Sequence, residues 1–248
     1  MSLLIDCGNT RCKFALVLAD GTLSPVFAIA NDAQDFVERF REWPGSSTGG
    51  SSCYLASVAN AEVTKKIEIA VASAGFQVTR IKTQAEALGL RIAYQAPEQM
   101  GVDRFLALIA AHRKKQSLLY VSVGSALTVD LLEASGQHRG GMITATEIII
   151  RHAMENRFAN FRDLWGSATG FSGNTPDALA SGARYMVLGI IEKSLREASQ
   201  LLNEPNLLLL ISGGDAEALL PHLPDNTVYQ PALVLEGLAL WAGHLETL

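Results

Sequence analysis

Short apolar runs alternate with segments of helical periodicity along the first third of the chain. Residues 2–18 predict two strands joined by a tight turn at Gly8-Asn9-Thr10, because apolar positions flank a glycine and an asparagine. A helix capped by Asn31 or Asp32, a strand, a helix and a strand are then expected over residues 32–43, 54–58, 61–74 and 77–81. Strands that alternate with helices predict an α/β fold.

The strand–turn–strand unit occurs a second time. Residues 119–126 form an apolar run that enters Gly124-Ser125-Ala126, much as residues 3–10 enter Gly8-Asn9-Thr10, and a second strand follows each turn. This internal repeat predicts two similar half-domains, over residues 1–117 and 118–248. A third apolar run, 207–211, enters Gly213-Gly214 ahead of a short helix expected from residue 216.

The composition indicates a folded chain and excludes several classes of protein. Of 248 residues, 48% are hydrophobic and 18% charged, which argues against disorder, and the net charge of −5 disfavours a nucleic-acid partner. Cys7, Cys12 and Cys53 form no metal or disulfide pattern, so reduced, buried thiols are expected. The apolar runs are too short to cross a membrane and the start lacks a secretory pattern, so we expect a cytoplasmic protein with no membrane partner.

The residues around the first turn suit a phosphate site. Gly8 lets the backbone approach a phosphate, while Asn9 and Thr10 add hydrogen-bond donors. Asp6 can hold Mg²⁺ through water, and Lys13 can supply a positive charge. An ordinary hairpin turn that Asp6 caps explains the same residues equally well.

The later turns favour nucleotide binding over an ordinary hairpin. Gly124-Ser125-Ala126 repeats the geometry in the second half, and Gly213-Gly214 is placed to face an adenosine. The set resembles the ATP-binding superfamily of actin, hexokinase and Hsp70. That resemblance implies an α/β fold of two ribonuclease-H-like half-domains, each a mixed sheet flanked by helices, with an ATP cleft between them.

A motif in the middle of the chain narrows the resemblance. Tyr94 and the quartet Gly101-Val102-Asp103-Arg104 precede an apolar helix expected over residues 105–112. Taken alone, Asp103 has a structural interpretation as a favourable charge at a helix N-terminus. The chain also carries DCGNTRCK, GSALTVD, GG and NTPDALASGA, at residues 6–13, 124–130, 140–141 and 174–183. Over nearly its whole length the sequence resembles the type III pantothenate kinases.

The resemblance implies phosphorylation of pantothenate by ATP, the first step of coenzyme A biosynthesis, with Mg²⁺ or another divalent cation. Asp103 would be the general base, since a primary alcohol needs a proton acceptor before it attacks. Arg104, Tyr94 and the Gly101-Val102 backbone would bind pantothenate, and Thr175 would reach it across a homodimer interface, so that two subunits share the site. The implied ATP-binding residues are Asp6, Cys7, Gly8, Asn9, Thr10, Arg11, Cys12, Lys13, Gly124 and Ser125.

Three positions depart from the family pattern. Where the family often has an aspartate that holds a required K⁺ or NH₄⁺, this chain has Ser122, a possible ligand without charge. The second turn often reads GTA, and Ser125 keeps the hydroxyl of that threonine. The Pro-Gly that usually follows the double glycine is replaced by Thr144-Ala145-Thr146.

Two classes of function stay open on the sequence alone. One is an active small-molecule kinase, and the other is a catalytically weak or inactive binding module that keeps the ATP-binding fold, because a fold does not fix an activity. Asp6, Asp103 and Arg104 together favour the kinase. A helix over residues 178–198 carries an apolar stripe that predicts core or a dimer interface.

Overall fold

The computed structural model describes residues 2–47 and 52–246, with side chains to residue 244. Its contacts divide the chain into two units. One contains Met1–Lys115, Ser135–Gln137 and Ala232–Leu248, and the other contains Gln116–Ala134 and His138–Pro231. The C-terminal segment therefore belongs to the first unit, whereas the predicted half-domains assign it to the second.

The first unit is built on a mixed five-stranded sheet. Its strand order is β3-β2-β1-β4-β5, with β1 antiparallel to β2 and parallel to β4. The elements up to residue 115 are β1 (Leu3–Cys7), β2 (Arg11–Leu16), β3 (Phe27–Ala30), α1 (Phe36–Glu42), β4 (Ser52–Ser57), α2 (Ala61–Ser73), β5 (Gln77–Arg80), β6 (Glu86–Ala87), β7 (Leu90–Arg91) and α3 (Val102–His112).

The second unit repeats this sheet. Its order is β10-β9-β8-β11-β12, with β8 antiparallel to β9 and parallel to β11. The remaining elements are β8 (Leu118–Val123), β9 (Leu127–Leu132), β10 (His138–Thr144), α4 (Glu147–Arg157), α5 (Thr175–Leu202), β11 (Leu208–Ser212), β12 (Val228–Tyr229) and α6 (Leu233–Glu246). The predicted fold class is confirmed, because the same mixed sheet with flanking helices occurs twice.

The core of each unit lies around its central strand. Every residue of β1 is buried, as expected for a strand covered on both faces. On one face Phe14 packs against Phe36 and Phe40, with ring centroids 6.2 and 5.3 Å away. In the second unit Val121 of β8 and Ile211 of β11 lie in the same cluster as Val187 of α5. These cores support the strand ends where the turns emerge.

Helix α6 packs against α3 within the first unit. The rings of Phe105 and Trp241 meet edge-on at 5.5 Å, and Gly237 lies so close to the backbone of Leu106 that a β-carbon would overlap it. This close packing explains why the last helix of the chain completes the first unit. Within the described residues, no helix combines the length and apolarity needed to span a membrane.

Several predicted elements differ at their boundaries. The first helix begins at Phe36 rather than residue 32, because Asn31 uses its side chain to bind the Gly8 carbonyl oxygen instead of capping a helix. The expected helix after Gly214 is a 3₁₀ turn, Glu217–His222, with Pro221 inside it. In the apolar stripe of α5, Val187 is buried but Met186 is 62% exposed.

Candidate active site

The first turn is a two-residue hairpin loop whose backbone accepts two hydrogen bonds from Asn31. The Gly8 amide donates to the Arg11 carbonyl oxygen at 3.0 Å, which leaves Asn9 and Thr10 exposed at the tip. Asn31 Nδ2 donates to the Gly8 carbonyl oxygen at 2.8 Å, and the Asn31 amide donates to the Thr10 carbonyl oxygen at 2.9 Å. Asn31 therefore fixes both sides of the turn.

The base of this hairpin carries two opposite charges. Asp6 on β1 lies directly opposite Lys13 on β2 and is only 8% exposed. Burial raises the pKa of Asp6 to about 6; the positive charge of Lys13 opposes this shift, and the negative charge of Asp103 adds to it. The carboxylate is therefore destabilised in its charged form, and a bound cation would relieve that cost.

The quartet Gly101-Val102-Asp103-Arg104 lies at the N-terminus of α3. The Arg104 amide donates to Asp103 Oδ1 at 2.8 Å, which orients a half-buried carboxylate in the first helical turn. Arg104 is 4% exposed; its Nη1 donates to the Tyr94 hydroxyl at 2.9 Å, and its guanidinium carbon lies 5.7 Å from the Tyr94 ring centroid. A buried guanidinium held in this way is a fixed positive charge for an anionic ligand.

Gly101 is required by the position of Asp103. A β-carbon on Gly101 would lie 2.5 Å from Asp103 Oδ1 and 3.6 Å from Val58 Cγ1. Any side chain at Gly101 would therefore displace the carboxylate. Val102 is 7% exposed, so its side chain belongs to the core and its backbone is the part that can face a ligand.

The first unit brings much of the predicted site together. Asp6 and Asp103 are close enough for their charges to interact, although they are 97 positions apart in the sequence. Cys7 and Cys12, by contrast, have fully buried side chains on the core face of the hairpin. At 0% exposure, neither residue presents side-chain or backbone surface to a nucleotide.

The Asp6 carboxylate fits a divalent cation of the kind that accompanies ATP. It offers hard oxygen ligands at the base of the first turn. In the part of the chain that the structure describes, no group of three or more His, Cys, Asp or Glu side chains could hold a metal ion by itself. Mg²⁺ typically binds through one or two carboxylates together with substrate phosphates and water, which this donor set allows.

The second turn is one residue shorter than the first, with three residues rather than four between the last paired positions of its strands, and its side chains are uncharged. The Gly124 amide donates to the Ala126 carbonyl oxygen at 3.1 Å, and Ser125 is exposed. Ser122 lies opposite Thr128 on β9, whose Oγ1 is buried and has no hydrogen-bond partner among the described residues. On the other side Ser122 lies opposite Ser212 on β11. The set can coordinate a cation only through neutral oxygens.

The third turn, Gly213-Gly214, packs against the backbone of Val123, the residue before the second turn. Gly213 has a φ of +104°, and a β-carbon there would overlap the backbone of Val123. The Asp215 amide donates to the Val123 carbonyl oxygen at 3.2 Å. Glycine is therefore needed at position 213 both for its conformation and for this close approach.

Thr175 belongs to the second unit, whereas residues 101–104 belong to the first. It is the exposed first residue of α5, and Asn174 caps the helix by accepting a hydrogen bond from the Asp177 amide at 3.0 Å. In the segment that precedes the helix, the Ser167 backbone amide donates a hydrogen bond to Asp177 Oδ1 at 2.8 Å. Thr175 is thus presented to solvent on a fixed helix end.

Asn31 is the residue that sequence reasoning missed. It was expected only as one of two alternative helix caps, yet it lies 8% exposed beneath the first turn. The signal in the sequence is a polar residue directly after the short apolar run 27–30. That signal gives no indication that Asn31 contacts Gly8, which is 23 positions away.

Known proteins resemble this chain over most of its length. Residues 2–197 match the family model described as type III pantothenate kinase. A type III pantothenate kinase of Stenotrophomonas maltophilia (strain R551-3) is 41% identical over 242 residues, which is 97% of either chain.

Two solved structures support the fold. A Baf family protein from Campylobacter jejuni, a candidate transcriptional activator, has a TM-score of 0.62 at 22% identity, covering 99% of this chain and all of the other. A candidate 2-dehydro-3-deoxygalactonokinase from Sinorhizobium meliloti has a TM-score of 0.57 at 12% identity, covering 100% of this chain and 98% of the other.

Proposed function

Since the chain belongs to the type III pantothenate kinase family, whose reaction transfers a phosphoryl group from ATP to pantothenate, we propose that Asp103 is its general base. The hydroxyl oxygen of pantothenate attacks the γ-phosphorus, the bond to the β–γ bridging oxygen breaks, and the hydroxyl proton passes to the Asp103 carboxylate. The hydrogen bond from the Arg104 amide to Asp103 Oδ1 supports this role because it fixes the direction of the carboxylate.

Arg104 and Tyr94 bind the acceptor in this proposal. The guanidinium pairs with the pantothenate carboxylate or a neighbouring polar group, and the Tyr94 hydroxyl holds the guanidinium in place at 2.9 Å. The backbone of Gly101 and Val102 lines the same pocket. The observation that carries the proposal is this cluster: an oriented carboxylate, a buried arginine and a tyrosine at one helix end.

The first turn binds the phosphates of ATP. The backbone of residues 8–11 faces the phosphate oxygens, with Asn9, Thr10 and Arg11 supplying exposed donors and Lys13 supplying charge. Asp6 is the residue that would hold Mg²⁺, through water, and the bound ion would neutralise charge on the phosphates. Catalysis then rests on positioning and electrostatics more than on covalent chemistry.

The second unit contributes neutral contacts to the nucleotide. The Gly124 backbone and the exposed Ser125 hydroxyl are donors for phosphate, and Gly213-Gly214 is the candidate contact for adenosine. The donor set around Ser122 lacks an acid, so we expect K⁺ or NH₄⁺ to bind there weakly. Replacing Na⁺ by K⁺ should then change turnover only modestly.

A homodimer completes the acceptor site in this proposal. Thr175 is exposed at the start of α5 and reaches pantothenate in the partner subunit. The second unit also exposes large apolar side chains that a partner would cover, including Ile143 at 64%, Trp165 at 58% and Met186 at 62%. Sedimentation velocity of the full chain tests the dimer, and Thr175→Ala should raise KM for pantothenate without changing the sedimentation coefficient.

The reaction is tested by ADP release in a coupled assay. ATP and Mg²⁺ are supplied with pantothenate, with a hexose or without an acceptor, in Na⁺ and again in K⁺ or NH₄⁺ buffer. Pantothenate-dependent release alone is the expected result. Turnover with the hexose, or ADP release at the same rate with and without an acceptor, would contradict the assignment of Arg104 and Tyr94 to a pantothenate pocket.

A further inference from the structure

Two thiols meet on the core face of the first hairpin. Cys7 on β1 and Cys12 on β2 are directly opposite in register, and their sulfur atoms lie 2.7 Å apart. Both are free cysteines with fully buried side chains. They are the last paired residues below the turn that binds phosphate in the proposed function, on which this inference rests.

The backbone geometry permits a covalent bond between them. The hydrogen bond from Gly8 to Arg11 closes the turn, so the next pair down the ladder is a non-hydrogen-bonded pair. Cα atoms in such pairs lie about 4.5 Å apart, which is at the short end of the range that disulfides span. Disulfides near the limit of this range are easily reduced.

We propose that Cys7 and Cys12 form a reversible disulfide when the enzyme meets a peroxide, and that this bond weakens nucleotide binding by the adjacent turn. One thiol is oxidised by hydrogen peroxide to a sulfenic acid, releasing one water molecule. The sulfur of the second thiol then attacks the sulfenic sulfur, the S–S bond forms, and hydroxide leaves with the thiol proton as a second water. The two thiols lose two electrons, and the peroxide gains them.

Asn31 connects the thiols to the turn. Cys12 Sγ lies 3.3 Å from Asn31 Oδ1 and can donate its proton there, while Asn31 Nδ2 holds the Gly8 carbonyl oxygen. In a disulfide Cys12 has no proton, and its sulfur is drawn toward Cys7. The buried Asn31 oxygen loses this donor, and the clamp on Gly8 loosens.

The alternative explanation is that these cysteines are small core residues and nothing more. Cys53 provides the comparison, because it is equally buried but lies on β4 opposite Leu3 of β1 rather than opposite a thiol. If burial alone governs oxidation, all three thiols should behave alike. If the cross-strand contact matters, Cys7 and Cys12 should be oxidised together and Cys53 should remain reduced.

The test uses the full-length enzyme, incubated with hydrogen peroxide and cleared of it. Thiols are counted by alkylation after unfolding and mass spectrometry, and the Kd for Mg–ATP is measured by calorimetry on the same samples. We expect one alkylated cysteine in the oxidised protein and three in the reduced one, with Cys53 as the modified residue. The Kd should rise about tenfold on oxidation and return with dithiothreitol, as loss of one buried hydrogen bond implies.

Matched variants separate the two explanations. In Cys12→Ser the ratio of oxidised to reduced Kd should be close to one, whereas Cys53→Ser should keep the parent's tenfold ratio. Three alkylated cysteines after oxidation would overturn the disulfide, and a disulfide with unchanged Kd would overturn its effect on the turn. Neither readout depends on catalysis, so a protein that fails to phosphorylate pantothenate would refute the proposed function separately.

Discussion

The hairpin of β1 and β2 and the hairpin of β8 and β9 occupy the same place in two sheets of the same strand order. Two residues before the turn glycine, the first has Asp6 opposite Lys13, whereas the second has Ser122 opposite Thr128. The neighbouring parallel strand places Ala56 beside Asp6 and Ser212 beside Ser122. One hairpin therefore carries a charged pair, and the other carries hydroxyl groups.

This difference shows that the strand order of a hairpin does not determine the charges beside its turn. The two hairpins share their place in the strand order, although the second turn is one residue shorter than the first. At the compared positions only the first hairpin has ionisable groups, and its Asp6 also interacts with the charge of Asp103. We infer that the first unit performs the charge-dependent part of the reaction and that the second contributes neutral contacts.

Removing the proposed base should have the largest effect. Asp103→Asn keeps the size of the side chain and an oxygen for the Arg104 amide but cannot take the proton, so kcat should fall about a thousandfold. The Kd for Mg–ATP should change little. Steady-state kinetics and calorimetry on one preparation measure both quantities.

The control for Asp103→Asn is Glu98→Gln, which neutralises an exposed carboxylate five positions earlier. That variant should retain the parent's kcat. If Asp103→Asn retains kcat within a few-fold, Asp103 is not the base.

Displacing the same carboxylate without removing it should have the next largest effect. In Gly101→Ala the new β-carbon would lie 2.5 Å from Asp103 Oδ1, so the carboxylate must move. A displacement of this kind typically costs about a hundredfold in turnover. Gly189→Ala is the matched control, since a β-carbon on this α5 glycine meets nothing within 4 Å. Equal kcat in the two variants would show that the position of Asp103 is unimportant.

The buried charge of Asp6 should lower stability in a pH-dependent way. Its pKa is about 6 in the fold against an ordinary 3.8, so the folded state binds more protons than the unfolded state between these values. The stabilising contribution of protonated Asp6 is therefore fully present below about pH 4 and is lost as the pH rises through 6. A pKa difference of this size corresponds to roughly 3 kcal/mol, an upper limit for the gain from Asp6→Asn above pH 6.

Thermal unfolding from pH 4 to pH 8, without nucleotide or Mg²⁺, measures this effect. Asp6→Asn should exceed the parent in Tm at pH 7.5 and approach it at pH 4. Asp32→Asn, which neutralises an exposed acid, should follow the parent throughout. A lower Tm for Asp6→Asn at pH 7.5 would mean that Asp6 stabilises the fold rather than serving the site at a cost to it.

Local signals explain which parts of the fold were predictable. Glycine and asparagine between apolar runs specify a hairpin, and the repetition of that pattern indicated two similar sheets. The membership of α6 was not predictable, because a helix that is apolar on most sides can be covered by several surfaces. The contact of Gly237 with the Leu106 backbone decides it, and that contact joins positions 131 residues apart.

The candidate site likewise has parts that local sequence signals predict and parts that depend on long-range contacts. Gly101, Asp103 and Arg104 lie within four positions of one another, so the motif already groups the residues that the structure places at the start of α3. The cysteine pattern predicted buried thiols, and strand alternation places Cys7 and Cys12 on the face opposite Asp6 and Lys13. The motif did not indicate that these two thiols contact each other. Nor could it indicate the clamp by Asn31, which depends on β3 pairing with β2.

The two hairpins are compared most directly by calorimetric Kd values for Mg–ATP in Lys13→Met and Thr128→Val. Each variant removes the residue opposite the position two before the turn glycine, one charged and one neutral. The account predicts about a tenfold loss of affinity or more for Lys13→Met and a change of less than about twofold for Thr128→Val. Parent-like binding by Lys13→Met, or an equal loss in both variants, would contradict it.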